Sequence, residues 1–373
     1  MSDASISIPE DLLPRDGRFG SGPSRVPTDA LDDLAATGRG LMGTSHRRPA
    51  VKSLVADIRA GLGSLYRLPD GYEVALGIGG ATAFWDMAAF GLVEHRSAHY
   101  VCGEFSAKFA AVTDGAPHLG TPVIIESPPG SAPAPVPNPD TDVAAFIHNE
   151  TSTGVLASWR RFGDEIVTVD GTSAAGAIEV DAPTFDAYYF SPQKAFGSEG
   201  GLWVALLSPA AIDRISRVDA SDRWIPPFLS LHTALENSRK DQTYNTPAIA
   251  TLYLLARQIS RIEALGGLAA AAEVSGASSR FLYAWAEASG FASPFVQDPA
   301  HRSPTVVTID IDERIDAGRL SGHLRDNGIV DTESYRKLGR NQLRIATFPT
   351  IPSSDVEAVA ACIDHVAERM LED

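Results

Sequence analysis

The sequence has little cysteine, little lysine, too few basic groups to balance its acids, and no long apolar run. Its two cysteines in 373 residues, Cys102 and Cys362, form neither a CxxC pair nor a Cys/His ligand pattern. That excludes a disulfide scaffold, gives no metal site, and leaves two buried thiols in a reducing compartment, with the cytoplasm as the expected location. Lysine plus arginine number 31 against 47 aspartates and glutamates, a net charge of −16. Such a chain repels nucleic acid and anionic membrane surfaces, so neither is an expected partner. A spanning helix needs about 20 apolar residues; even the greasy 82–93 segment contains Asp86, so no membrane insertion is expected. The opening MSDASISIPEDLLPRDGRFG places acids and prolines where a signal peptide needs a basic start and an apolar core.

What is present is ordinary globular composition, 44% hydrophobic and 21% charged, over a length that suggests two domains. From about residue 72, short β-prone runs alternate with helical-period segments, the pattern of a mainly parallel sheet covered by helices. Strands are expected at 73–76, 99–102, 122–126, 143–148, 166–170, 187–190 and 202–207, and helices at 82–92, 104–114 and 209–218. The proline-rich SPPGSAPAPVPNPD at 127–140 reads as an extended loop. After about residue 262 a long alanine-rich helix (268–288), strand 305–311, helix 315–327 and strand 342–348 suggest a second, smaller α/β unit. Its last helix carries a capping box, Ser354 with Glu357, and an apolar core stripe of Val356, Val359, Ile363, Val366 and Met370.

Lysine scarcity shortens the search for a nucleophilic amine to Lys52, Lys108, Lys194, Lys240 and Lys337. Lys194 stands apart: it follows the 187–190 strand and precedes a glycine-rich turn, SPQKAFGSEGG. This places an amine at the carboxyl edge of a sheet, where open α/β folds keep their ligands. Burial there would lower its pKa and free its lone pair for Schiff-base chemistry. Asp170 ends another strand, EIVTVD, at the same edge. Taken singly, these are a structural lysine and a helix N-cap. As a pair they match the needs of pyridoxal phosphate (PLP), whose aldehyde takes a lysine and whose pyridine nitrogen stays protonated beside a carboxylate. In GIGGATAFWD (77–86), Gly79 and Gly80 interrupt a strand end and Thr82 opens a helix, exposing backbone N–H groups to a phosphate. A dinucleotide site is the competitor, but the spacing is not GxGxxG.

These residues carry a resemblance over nearly the full length. GSGPSRVP near the start, GTSHR (43–47), GGATAFW (79–85), HNETSTG (148–154), Asp170, SPQK (191–194) and YNTP (244–247) resemble the phosphoserine aminotransferases, class V, fold-type I PLP-dependent enzymes. The resemblance implies an α/β fold: a large PLP-binding domain (19–262) with a mainly parallel seven-stranded sheet, a smaller C-terminal α/β domain (263–373), and an N-terminal segment (1–18) packed with the latter. It implies that Lys194 and Asp170 are catalytic, the first as the Schiff-base lysine and the second paired with the pyridinium. Gly80, Ala81, Thr82 and Gln193 would hold the cofactor phosphate, Thr151 its phenolic oxygen, and Phe105 would stack on the ring. Asn245 and Thr246 would reach the cofactor phosphate of a neighbouring subunit, making the homodimer the active form.

On the substrate side the resemblance assigns His46, Arg47 and Arg336 to the distal anionic group and Arg344 to the α-carboxylate. Guanidinium suits both, because its fork matches carboxylate and phosphate alike. Two departures from the family pattern stand out: Tyr335 occupies a position where histidine is common, with a longer spacing to Arg344, and Ala81 stands where arginine is common. The activity implied is amino transfer from L-glutamate to 3-phosphohydroxypyruvate in serine biosynthesis, with a phosphorylated hydroxythreonine of the pyridoxine route as a further substrate. The alternatives are a small-amino-acid:glyoxylate aminotransferase of the same class, and a cofactor-binding module without turnover. A cysteine desulfurase would need a mobile nucleophilic thiol, whereas Cys102 ends a strand and Cys362 lies on an apolar-patterned helix.

Overall fold

Short apolar runs bounded by turn residues build the main sheet. The structure, a computed structural model, describes residues 6–372; of the expected N-terminal segment 1–18, residues 1–5 lie outside the described residues. Helices α1 (Thr28–Leu41) and α2 (Pro49–Leu65) precede β1 (Glu73–Ile78), α3 (Gly80–Gly91), β2 (Ser97–Val101), α4 (Glu104–Asp114), β3 (Val123–Glu126) and β4 (Val143–Ile147). A small two-stranded ladder, β5 (Asn149–Glu150) and β6 (Val155–Leu156), follows. Then come β7 (Ile166–Asp170), β8 (Ala187–Phe190), β9 (Leu202–Leu207), α5 (Pro209–Asp219), α6 (Leu231–Ser238) and α7 (Ile249–Leu265). The remainder is α8 (Leu268–Ala288), β10 (Ala292–Pro294), β11 (Val306–Ile311), α9 (Ala317–Asp326), β12 (Gln342–Ala346) and α10 (Ser353–Glu372).

The large sheet has seven strands in the order β1-β9-β8-β7-β4-β2-β3. Only β9 runs against its neighbours, β1 and β8; the other pairs are parallel. Every residue of β4, β7, β8 and β9 is buried, because helices cover both faces. Strand alternation sends Tyr188 to a core with Ile58, Leu62 and Leu255, and Tyr189 to one with Phe84, Trp85 and Ile215. A separate core joins Leu282, Ile309, Leu343, Val359 and Ile363 with Ile8 from the N-terminal segment and with Phe19, which was expected to open the large domain but packs here. The segment is also tied there by backbone bonds between Phe19 N and Val330 O and between Val330 N and Gly17 O.

Three helix starts differ from expectation. Helix α9 begins at Ala317 rather than 315, because Asp316 caps it. Helix α10 begins at Ser353, so Ser354 lies inside the first turn rather than capping it. A buried acid, Asp355, is bound instead by the backbone N–H of Arg15 (3.1 Å) and by Arg25 Nη1 (3.0 Å). Helix α3 begins at Gly80, ahead of Thr82, because the two glycines supply the turn into it.

Candidate active site

The register of the parallel strands sets Ile147, Asp170 and Tyr189 level with one another at the carboxyl edge of the sheet. Four residues beyond β8, the SPQK turn brings Lys194 back over that edge, where only 6% of it is exposed. Its Nζ donates to Thr151 Oγ1 at 2.7 Å and lies 5.1 Å from the centre of the Phe105 ring. Burial pushes the Lys194 amine down to about 8; the charge of Asp170 opposes this and that of Arg344 adds to it. The other four lysines are partly or fully exposed.

Asp170 closes β7 and is 5% exposed. Its Oδ1 accepts from Thr172 N (2.9 Å) and its Oδ2 from Trp85 Nε1 (3.3 Å), which also donates to Tyr189 Oη at 3.0 Å. Burial raises the pKa of this carboxyl, while the Thr172 bonds, the Lys194 charge and the Trp85 N–H pull it down. The carboxylate is therefore held in one orientation by groups that favour its charge.

Opposite, β1 turns into α3 through Gly79 and Gly80, at φ of 118° and 74°. A Cβ on Gly79 would come within 2.6 Å of Ala83 Cβ. As in any helix, the first-turn N–H groups, here of Gly80, Ala81 and Thr82, have no intrahelical acceptor, and the dipole adds positive potential. Across the cavity, Arg344 on β12 donates from Nη1 to Thr151 O (3.1 Å), its guanidinium 5.4 Å from the Tyr335 ring centre. Burial lowers the pKa of Arg344, and its Nε is buried without a partner.

These groups line one cavity of about 360 Å³, which brings together Gly80, Ala81, Thr82, Phe105, Thr151, Asp170, Gln193, Lys194 and Arg344. It also takes in Tyr335, noted in the sequence as a substrate-side departure from the family pattern, and Trp85, Asn149 and Ser191, to which the sequence assigned no role. Trp85 lay inside a quoted motif, one helical turn from the phosphate turn, and that spacing was the signal available. Three larger hollows, of about 590, 480 and 400 Å³, contain no lysine, so chemistry rather than size selects the site.

Five expected residues lie outside this cavity. His46 Nδ1 pairs with Thr246 Oγ1 at 3.2 Å, and Arg47 Nη1 donates to Gln242 Oε1 at 2.9 Å. Asn245 and Thr246 are exposed beside them. Arg336 is exposed on a short 3-10 turn, Arg336–Leu338, and its neighbour Arg340 is committed to Asp310.

The cavity fits pyridoxal phosphate. It offers a buried amine, a buried carboxylate, a helix N-terminus and an aromatic face. In addition, Gln193 Oε1, Asn149 Oδ1 and Arg344 Nε are buried and unpartnered, polar atoms that native interiors rarely leave idle.

Comparison with known proteins bears on the same chemistry. The family model described as Aminotransferase class-V matches residues 135–332. A putative phosphoserine aminotransferase of Mycolicibacterium vanbaalenii is 55% identical over 98% of this chain and 99% of its own. A phosphoserine aminotransferase of a Nocardioides species is 54% identical over 99% of this chain and 100% of its own. Among solved structures, a phosphoserine aminotransferase from Cytophaga hutchinsonii superposes with a TM-score of 0.85 at 24% identity, covering 94% of this chain and 99% of its own. The fold is that of the fold-type I PLP enzymes, and the chain belongs to the class-V aminotransferase family.

Proposed function

We propose that this chain transfers the amino group of L-glutamate to 3-phosphohydroxypyruvate, giving O-phospho-L-serine and 2-oxoglutarate. The observation that carries the proposal is a buried Lys194 and a buried Asp170 in one cavity with a helix N-terminus. The names of the 53–55% identical relatives support the substrate pair. When bound, pyridoxal phosphate supplies an electron sink for the carbon that loses its proton.

The protein's own groups do the rest. Asp170, held in place by Trp85 and Thr172, would keep a proton on the ring nitrogen. Gly80, Ala81 and Thr82 would donate to the phosphate with Gln193 beside them, Thr151 to the phenolic oxygen, and Phe105 would cover a ring face. Lys194 would hold the aldehyde carbon at rest and, freed when the substrate amine takes its place there, would take and return the substrate α-proton through Nζ. Arg344 receives the α-carboxylate of donor and acceptor, consistent with its unpartnered Nε.

The active form we propose is a homodimer. Exposed Arg47, Asn245 and Thr246 and half-buried His46 form one cluster that does not line its own chain's cavity, the disposition expected of residues that complete a neighbouring subunit's site. His46 and Arg47, with Arg336, would then meet the distal carboxylate or phosphate. Residues 19–262 would hold the cofactor and 263–373 supply Arg344; the Ile8 contacts support packing of residues 6–18 on the smaller unit, where Phe19, at the first position of the larger one, also packs.

The test is a spectrum of the purified protein loaded with PLP. Adding glutamate should shift the cofactor absorption, and 3-phosphohydroxypyruvate should restore it faster than pyruvate or glyoxylate does. Preference for an unphosphorylated keto acid would reject the substrate assignment, and an unchanged spectrum would reject the activity.

A further inference from the structure

The motif HNETSTG supplies Thr151 to the cavity, yet the acid beside it, Glu150, is fully buried and no step above uses it. Five donors surround its carboxylate. Oε1 faces Phe105 N (3.3 Å), Ser152 N (3.2 Å) and Ser152 Oγ (2.6 Å); Oε2 faces Ser106 N (3.0 Å) and Ser106 Oγ (2.9 Å). Among the described residues no lysine or arginine lies at ion-pair distance. A buried anion without a cation is costly, and a helix cap alone would need only a serine or aspartate side chain.

The connections explain the placement. Phe105 and Ser106 begin α4, and Phe105 is the aromatic nearest the Lys194 amine. Ser152 follows Thr151, which accepts the Lys194 N–H, and Ser152 Oγ also accepts from Glu104 N at 3.0 Å. One carboxylate thus ties two separate walls of the cavity together. Resting on the proposed PLP chemistry, we infer that Glu150 is a positioning residue that fixes Phe105 and Thr151 about the cofactor and keeps a negative charge behind Lys194.

The fit leaves no slack. A Cβ on Gly103 would lie 2.5 Å from both Glu150 Cγ and Ser152 Oγ, so glycine is required there for space. The charges facing Lys194 are Asp170 from β7, Arg344 from β12 and Glu150 from β5. Tyr335 stands against Arg344 and Cys102 against Glu150, whose charge joins burial in raising that thiol.

The test compares wild type, Glu150→Gln and Gly103→Ala, each loaded with PLP. Glu150→Gln removes the charge and turns an NH2 toward donors. It should lose PLP about tenfold more readily, lower kcat about 10- to 100-fold with KM little changed, and move the pH midpoint of the bound-cofactor absorption downward. Gly103→Ala displaces Glu150 with its charge intact. It should lower kcat and PLP retention but leave the midpoint where wild type has it. A purely structural role would lower Tm and change none of these in the folded holoenzyme, and that result overturns the inference. If Glu150→Gln does not fold, Gly103→Ala and Ser106→Ala decide the positioning claim on kcat and PLP retention. Failure of wild type itself to take up PLP would sink the functional proposal as well, whereas a normal wild type with indifferent variants sinks only this one.

Discussion

At the scale of single residues, the chemistry rests on a lysine kept where a proton is poorly held. The Lys194 amine titrates near 8 in the folded protein against an ordinary 10.5. Between these values the unfolded chain carries the proton and the folded chain does not, so stability rises with pH through the window. In the cofactor-free protein, wild type should gain up to about 3 kcal/mol on Lys194→Met between pH 8 and 10.5, read as a changing difference in denaturation midpoints. A constant difference would show that the amine is not depressed. Lys194→Ala should abolish transamination with the fold retained, since one edge side chain contributes little core; residual turnover at the wild-type rate would remove it from the reaction. Arg344→Ala should raise KM for both amino donor and keto acceptor, because each presents an α-carboxylate. A defect confined to the phosphorylated substrate would place Arg344 at the distal group instead. Lys194 was visible in the sequence, since a scarce residue type after an apolar strand is a strong local signal, and Asp170 was visible only in combination with it. Trp85 and Asn149 were not, because their roles depend on which side of an element faces the cavity.

At the scale of elements, the proposed phosphate site rests on the turn into α3, whose share of it is backbone geometry. Gly79→Ala should therefore weaken PLP retention more than it weakens the fold. Its φ of 118° is strained for any Cβ, and the new methyl meets Ala83. Equilibrium dialysis of PLP against the variant checks this; unchanged retention would mean that the side chains dominate. Elements whose apolar runs end at turn residues were readable: 104–114, 202–207 and 268–288 coincide with α4, β9 and α8. The β5–β6 ladder was not, since two-residue strands have no periodicity to detect. The capping box at Ser354 was misleading for a comparable reason: a carboxylate bound by the distant Arg15 and Arg25 occupies the start of α10, and no local pattern reports a contact 330 residues away in sequence.

At the scale of the molecule, the cluster of His46, Arg47, Asn245 and Thr246 was legible only as scattered motifs, because 200 residues separate His46 from its partner Thr246. If these groups serve the neighbouring subunit, Lys194→Ala and a double Asn245→Ala/Thr246→Ala variant, each inactive alone, should complement when mixed and reassociated. Half the dimers would be mixed and each would hold one intact site, restoring about a quarter of wild-type activity. No recovery would place all the groups of one site on one chain.

The 149–156 hairpin has a further consequence. Arg344 Nη1 grips it at Thr151 O, Thr308 Oγ1 at Thr153 O, and Ser303 N at Gly154 O. It is wedged like a tenon between the two halves of the chain. A rigid swing of the C-terminal half would tear three anchors from the wall that carries Thr151. The wall that carries Thr151 is thereby fixed to the C-terminal half, as is the opposite rim, where Tyr335 borders the same cavity.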